Sequence, residues 1–84
     1  MKSCIITFRS VTPAQRGEKV LRREGLDCAL QRTPRWMEEQ GCGYSVSVRC
    51  QDVHKAVDLL QNNKIPYRKV YLRRENDTVE EVEL

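Results

Sequence analysis

The chain has 84 residues, of which 39% are apolar and 32% are charged, and its formal net charge is +3. This length predicts one domain with one modest hydrophobic core. No apolar run approaches the roughly 20 residues of a membrane-spanning helix, and the first residues lack the pattern of a signal peptide. We therefore expect a soluble protein of the cytoplasm with no membrane partner.

The charges are distributed unevenly along the chain. Residues 1–74 hold all 15 Lys and Arg residues but only seven of the 12 acidic residues, a net charge of +8. The other five acidic residues crowd into residues 75–84. We therefore expect a folded domain over 1–74 and an acidic C-terminal tail over 75–84. A basic domain favours an anionic ligand or partner, although a solvated surface balanced by the acidic tail accounts for the same pattern.

The first two elements are a strand and a helix. The segment "CIITFR" is apolar on both faces, which is typical of a central strand. The next segment predicts a helix over residues 12–24. Thr12 is the expected N-cap, Pro13 suits the first helical position and Gly25 suits the C-terminal end.

Two alternating segments follow. The segment "DCALQRT", residues 27–33, places Cys28 and Leu30 on one side and predicts a second strand. The segment "YSVSVRC", residues 44–50, alternates apolar and polar residues and predicts a third, half-buried strand. Between them, residues 34–43 are expected to form a loop.

The last elements repeat the helix–strand order. Asp52 is the expected cap of a second helix, which the segment "NNK" ends. The expected buried stripe of this helix is Val53, Ala56, Val57 and Leu60. The segment "PYRKVYLRR" predicts an edge strand, because it begins with a proline. Residues 75–84 are either a frayed tail or an extra strand that pairs with a partner.

This order, βαββαβ, predicts an α+β, ferredoxin-like fold. Right-handed crossovers arrange a four-stranded antiparallel sheet in the order 4-1-3-2, with two helices on one face. We expect the other face to be open and to mix apolar and basic side chains. Its expected members are Ile5, Thr7, Arg9, Ser45, Ser47, Arg49, Tyr67, Lys69 and Tyr71.

The chain has four cysteines, and His54 is its only histidine. Because there is no CxxC pair, we expect no metal site, and because nothing indicates secretion, we expect free thiols. Cys4, Cys28 and Cys50 fall on the inward side of their strands and are expected in the core, where a thiol behaves as a small hydrophobic group. His54 is expected on the exposed flank of the second helix.

Cys42 lies between two glycines, in the segment "QGCGYSV". Glycine has no side chain that could shield a neighbouring residue from solvent. This stretch is therefore either a plain turn or a loop that exposes the Cys42 sulfur. The predicted topology gathers the 34–43 loop and the start of the first helix at one end of the sheet. Nearby arginines and a helix N-terminus stabilise a thiolate. The residues expected around Cys42 are Arg9, Ser10, Arg32 and Arg35.

Three short motifs occur in order: "FRS" closes the first strand, "TPR" closes the second, and "CG" opens the third. With this combination the chain resembles the small selenium/sulfur carrier protein-like domains over roughly residues 3–72. The resemblance implies a single-domain protein in which a cysteine holds sulfur or selenium as a persulfide or selenide. It implies, by position, that Cys42 is the carrier and Arg35 its nearest motif neighbour, with Arg9 and Ser10 completing the site.

Two other functions are compatible with the residues. A ligand-binding or protein-interaction module would use the same scaffold and form a homodimer through the open sheet face. An RNA-binding sheet would stack bases on aromatic residues of its central strands. Those strands present Thr7, Ser45 and Ser47, so nucleic acid is not an expected partner.

The sequence-based hypothesis is therefore a sulfur or selenium carrier that uses Cys42. Its expected partners are the proteins that donate and accept the sulfur or selenium. No general base, metal cluster or phosphate-binding loop is visible in the sequence. We therefore expect neither a stand-alone enzyme nor a cofactor.

Overall fold

Two helices and five strands make up the part of the chain that the computed structural model describes, residues 3–32, 43–73 and 79–82. In chain order they are β1 (Ser3–Phe8), α1 (Val11–Arg23), β2 (Cys28–Arg32), β3 (Tyr44–Arg49), α2 (Val53–Asn62), β4 (Val70–Arg73) and β5 (Val79–Val82). A short 3-10 turn, Cys50–Asp52, joins β3 to α2. Neither of these helices is long and apolar enough to cross a bilayer.

The strands form one antiparallel sheet in the order β2-β3-β1-β4-β5. The fold is therefore α+β, and the expected order of the first four strands lies within this sheet. The prediction of a four-stranded sheet is wrong, because β5 pairs with β4 of the same chain, from Val70 opposite Val82 to Arg73 opposite Val79. A salt bridge of 3.2 Å between Lys69 and Glu81 joins this added strand to the chain just before β4.

Both helices pack on one face of the sheet and form the core with it. The buried residues of α1 are Ala14, Gly17 and Leu21, and those of α2 are the predicted Val53, Ala56, Val57 and Leu60. They meet the inward side chains of the central strands, which are Cys4, Ile6, Phe8, Val46, Val48 and Val70. The helices approach closely at Gly17, where a Cβ atom would lie 3.0 Å from Leu60 Cδ2 and 3.2 Å from Phe8 Cζ.

Helix α1 begins earlier than the sequence predicts. Its N-cap is Ser10, in an extended conformation, and not Thr12. Pro13 is the third helical residue and is tolerated there, because the N–H groups of the first turn have no intrahelical acceptor. At the other end, Gly25 ends the helix as predicted. It adopts a φ of 83°, and its N–H donates to the Arg22 carbonyl at 3.0 Å.

A β-bulge turns Tyr67 to the helix side of the sheet, against the prediction that it lies on the outward face. Thr7 of β1 opposes two residues, because its carbonyl accepts from the Arg68 N–H at 2.7 Å and its N–H donates to the Lys69 carbonyl at 2.8 Å. The extra residue shifts the alternation of the preceding chain by one position. Tyr67 therefore packs against the core, and its hydroxyl lies 3.5 Å from Gln61 Nε2 on α2.

The centre of the face opposite the helices is covered, although an open face was expected. Ile5 is 3% exposed, Thr7 is 4% exposed and Ser45 is fully buried. Ile5 lies between Ser47 and Tyr71 in the strand register. A second copy of the chain is therefore not needed to remove these three side chains from water.

The outer edge of β2 is held by two side chains of α1. Glu18 accepts a hydrogen bond from the Leu30 N–H at 3.0 Å, and Arg22 donates to the Cys28 carbonyl at 3.4 Å. The two side chains also lie 3.5 Å from each other as an ion pair. These contacts tie α1 to the edge of the sheet and satisfy two backbone groups of β2, which is an edge strand among the described residues.

Candidate functional site

One row across the sheet joins the ends of β1 and β2 to the start of β3. Tyr44 pairs with both Phe8 and Arg32. Arg9 and Ser10 follow Phe8 directly, and Ser10 is the N-cap of α1. The described members of the predicted site, Arg9, Ser10 and Arg32, thus lie at the same end of the sheet. All three are exposed.

The N-terminus of α1 adds positive potential to this end of the sheet. The Ser10 hydroxyl makes no capping hydrogen bond, and the first turn contains no acidic residue. The N–H groups at a helix N-terminus carry a partial positive charge, and Arg9 stands next to them in the chain. An anionic group at this end of the sheet would therefore be stabilised by the helix terminus and by the arginines.

Cys42 and Arg35 lie outside the described residues, so the predictions about them stay predictions. The chain resumes at Gly43, which is buried and leads directly into β3. The positions that flank this segment, Arg32 before it and Gly43 after it, both lie at the end of the sheet where α1 begins.

The other three cysteines lie on the helix side of the sheet, as predicted. Cys4 is 3% exposed, while Cys28 and Cys50 are partly buried against the core, and all three are free thiols. Burial raises the pKa of Cys28, although the neighbouring Arg22 acts to lower it. The Cys28 thiol donates to the Glu18 carbonyl at 3.8 Å.

Cys4 and Cys50 are in direct contact, which the sequence reasoning missed. Their sulfur atoms lie 2.8 Å apart. Burial, followed by the hydrogen bond and the charge of Cys50, raises the pKa of Cys4 to about 12. The pairing of β1 with β3 could have indicated this contact. Cys4 lies opposite Val48, and Cys50 comes two residues after Val48 on the same face. The two cysteines are therefore diagonal neighbours.

His54 is exposed on α2, as predicted. Within residues 3–32, 43–73 and 79–82, no three His, Cys, Asp or Glu side chains converge on a point where a metal ion could be held. A shallow depression of about 270 Å³ lies at the far end of the sheet from Arg9. Its lining residues are Ser3, Asp27, Cys28, Ala29, Ser47, Val48 and Arg49. Two of these lining residues, Arg49 and Asp27, form an ion pair of 3.0 Å. This pair offsets the positive charge of Arg49.

Comparison with protein families matches residues 3–72 to the family described as "Putative Se/S carrier protein-like". Comparisons with curated proteins and with solved structures gave no significant match. The matched region runs from the start of β1 into β4 and covers most of the 84 residues. The chain therefore belongs to the Se/S carrier protein-like family.

Proposed function

We propose that this protein carries sulfur or selenium on Cys42 and passes it between a donor protein and an acceptor protein. The observation that supports this proposal most directly is the family match over residues 3–72. The charge distribution of the described residues agrees with it, because the segment that contains Cys42 is flanked by the basic end of the sheet.

The proposed transfer needs one nucleophilic thiolate and no net oxidation. The Cys42 thiolate attacks the terminal sulfur of a donor persulfide, and a new S–S bond forms as the donor S–S bond breaks. The donor leaves as a thiol after taking one proton, and the terminal sulfur remains on Cys42 as a persulfide. Attack on that sulfur by an acceptor thiolate reverses the chemistry. A selenium atom in place of the sulfur follows the same steps.

The proposed transfer requires a positive electrostatic potential around the reacting sulfur. A thiolate and a persulfide are both anions, and both are stabilised by nearby arginines and by a helix N-terminus. Arg9, Arg32 and the N-terminus of α1 supply these features at the end of the sheet next to Gly43. Arg35 is proposed to act in the same way, because it lies in the same segment as Cys42.

Two of the other thiols are poorly suited to the role. Burial raises the pKa of both Cys4 and Cys28, which lowers the fraction of each that is ionised at neutral pH. Their burial also limits access by a partner protein. The carrier function therefore predicts a large difference in reactivity between Cys42 and these two residues.

Loading with sulfur tests the proposal directly. The reduced protein, with Cys50→Ser so that this partly exposed thiol cannot react, is incubated with inorganic polysulfide, freed of excess reagent, and examined by intact mass spectrometry and peptide mapping. We expect the mass to rise by one sulfur atom, located on Cys42, and to return to its original value after treatment with a thiol. Cys42→Ser should abolish the loading and Cys28→Ser should not. Loading that survives Cys42→Ser would refute the assignment of Cys42.

Alkylation rates test the role of the arginines. Cys42 should react with iodoacetamide faster than Cys4 and Cys28, and Arg35→Ala should slow that reaction near neutral pH. Arg23→Ala is the matched control, because Arg23 is an exposed arginine in the last turn of α1, at the other end of that helix. Equal effects of the two substitutions would show that Arg35 has no local influence on Cys42.

A further inference from the structure

We propose that Cys4 and Cys50 form a reversible disulfide, separate from the proposed carrier thiol, and that a small-molecule disulfide such as oxidised glutathione is the oxidant. The observation that carries this proposal is the direct contact of the two sulfur atoms, 2.8 Å apart. The two residues are 46 positions apart in the chain, so the fold brings them together.

The contact needs little adjustment to become covalent. A disulfide bond is about 2.05 Å long, so a relative movement of under about 1 Å would close it. Cys4 belongs to the central strand β1, whereas Cys50 is the first residue of the 3-10 turn that leads to α2. The turn is at the end of a strand, where a side chain can move without breaking the pairing of the sheet.

The two thiols differ in their access to a reagent. Cys50 is partly exposed, while Cys4 is 3% exposed. A dissolved disulfide therefore meets Cys50 first. The Cys50 thiolate attacks one sulfur of oxidised glutathione, and the S–S bond of the reagent breaks. One glutathione leaves as a thiol after taking a proton, and the other stays on Cys50 as a mixed disulfide.

Cys4 then completes the exchange. Its sulfur attacks the Cys50 sulfur of the mixed disulfide, its proton passes to the departing glutathione, and the Cys4–Cys50 bond forms. In total, two protein thiols lose two electrons and two protons, and one oxidised glutathione becomes two glutathione molecules.

Cys28 provides an internal comparison. It pairs with Val48 from the opposite side to Cys4, so a whole strand separates the two cysteines. Its thiol faces the Glu18 carbonyl at 3.8 Å. Cys28 resembles Cys50 in being partly buried against the core, but neither Cys4 nor Cys50 is in contact with its Sγ. It should not enter a disulfide with Cys4 or Cys50.

The test uses the full chain with Cys42→Ser, so that its outcome does not depend on the carrier function. The protein is equilibrated with mixtures of oxidised and reduced glutathione, quenched with acid, alkylated and mapped by mass spectrometry. We expect a linked pair of peptides that contain Cys4 and Cys50, in a folded protein whose mass is lower by two hydrogen atoms. Excess reduced glutathione should restore both thiols, and the oxidised form should show a higher midpoint temperature of unfolding.

Single substitutions distinguish the roles of the two residues. Adding Cys4→Ala should leave the glutathione adduct trapped on Cys50, because no thiol remains to displace it. Adding Cys50→Ser should leave Cys4 without an adduct, since Cys4 is buried. Cys28→Ser should change neither result. Circular dichroism checks that each variant is folded, and Cys4→Ser replaces Cys4→Ala if the latter does not fold.

Three results would overturn the proposal. The first is a folded protein in which Cys50 stays free to react with the alkylating agent at every glutathione ratio. The second is a linkage of Cys50 to Cys28 in place of Cys4. The third is a trapped adduct on Cys50 that accumulates equally with and without the Cys4 thiol.

Discussion

Lys64 ends α2 in the way that Gly25 ends α1. Each adopts a positive φ, 56° for Lys64 and 83° for Gly25. Each also donates its N–H to the carbonyl three residues earlier, and the next residue donates to the carbonyl five residues earlier, from Ile65 to Leu60 and from Leu26 to Leu21. One helix thus uses glycine at the left-handed position, and the other uses a residue with a side chain.

The first prediction follows from this pair. Lys64→Gly should raise the free energy of unfolding by about 0.5–1 kcal/mol, because the left-handed strain that it removes exceeds the extra backbone entropy that glycine loses on folding. Gly25→Ala should lower it by about 1–2 kcal/mol, although a Cβ at Gly25 would meet nothing within 4 Å. Urea unfolding measures both changes. A stabilising Gly25→Ala or a destabilising Lys64→Gly would contradict the backbone explanation.

The second prediction concerns the bulge at Thr7. The Thr7 hydroxyl accepts from the Lys69 N–H at 3.0 Å and lies 3.2 Å from the Lys69 carbonyl. Thr7→Val should cost about 1–3 kcal/mol, because it removes the hydroxyl that accepts from this backbone N–H in a partly buried position. Thr7→Ser keeps the hydroxyl and should cost about 1 kcal/mol or less. Chemical denaturation compares the two, and equal losses would mean that the hydroxyl contributes nothing.

The third prediction is a pH dependence of stability under reducing conditions. The pKa of Cys4 is raised from 9.0 to about 12 in the folded protein, so the folded state holds this proton more tightly than the unfolded chain. The contribution is fully present below pH 9 and is lost as the pH rises toward 12, with a slope of at most about 1.4 kcal/mol per pH unit.

The comparison with Cys4→Ala isolates this contribution, because tyrosines and lysines titrate in both proteins. The difference in the free energy of unfolding between the wild type and Cys4→Ala should shrink from about pH 8 to about pH 10.5. Urea titrations with a non-thiol reductant measure it. A difference that stays constant over this range would show that Cys4 ionises equally easily in the folded and unfolded states.

The fourth prediction concerns Ser45. Its side chain is fully buried, and its hydroxyl has no hydrogen-bond partner in the described part of the chain. Ser45→Ala should therefore stabilise the protein by about 1 kcal/mol, because it removes a buried polar group that is not satisfied. Ser47→Ala, two residues along the same strand and partly exposed, is the control and should have little effect. Thermal unfolding reports both, and a clear loss of stability in Ser45→Ala would reveal a partner of that hydroxyl.

The sequence predicts the central sheet and both helices because their patterns are local. The alternation in "YSVSVR" and the stripe of α2 depend on residues close together in the chain. Simple alternation in "PYRKVYLRR" predicts the wrong face for Tyr67, because the bulge depends on hydrogen bonds to Thr7, which is distant in sequence. The sequence leaves the fifth strand open because "VEEV" does not alternate apolar and polar residues, and the strand is defined by its pairing with β4.

For the cysteines and arginines too, the sequence predicts some spatial relationships and not others. Connectivity alone predicts that Arg9, Ser10 and Arg32 lie at one end of the sheet, and the register places them there. The contact of Cys4 with Cys50 needs two further details, the exact strand register and the turn that follows β3. Both the register and the turn depend on the packing of the whole domain. The alternating pattern within one strand therefore does not predict them.

The hydrogen bonds that Glu18 and Arg22 make with the backbone of β2 also affect whether a second copy of this protein can add a strand to the sheet. An added strand needs free backbone donors and acceptors on the edge that it joins. At β2, the Leu30 N–H and the Cys28 carbonyl are already occupied by these two side chains. The β2 edge of the sheet is thereby protected at these two positions against the addition of a strand from a second copy.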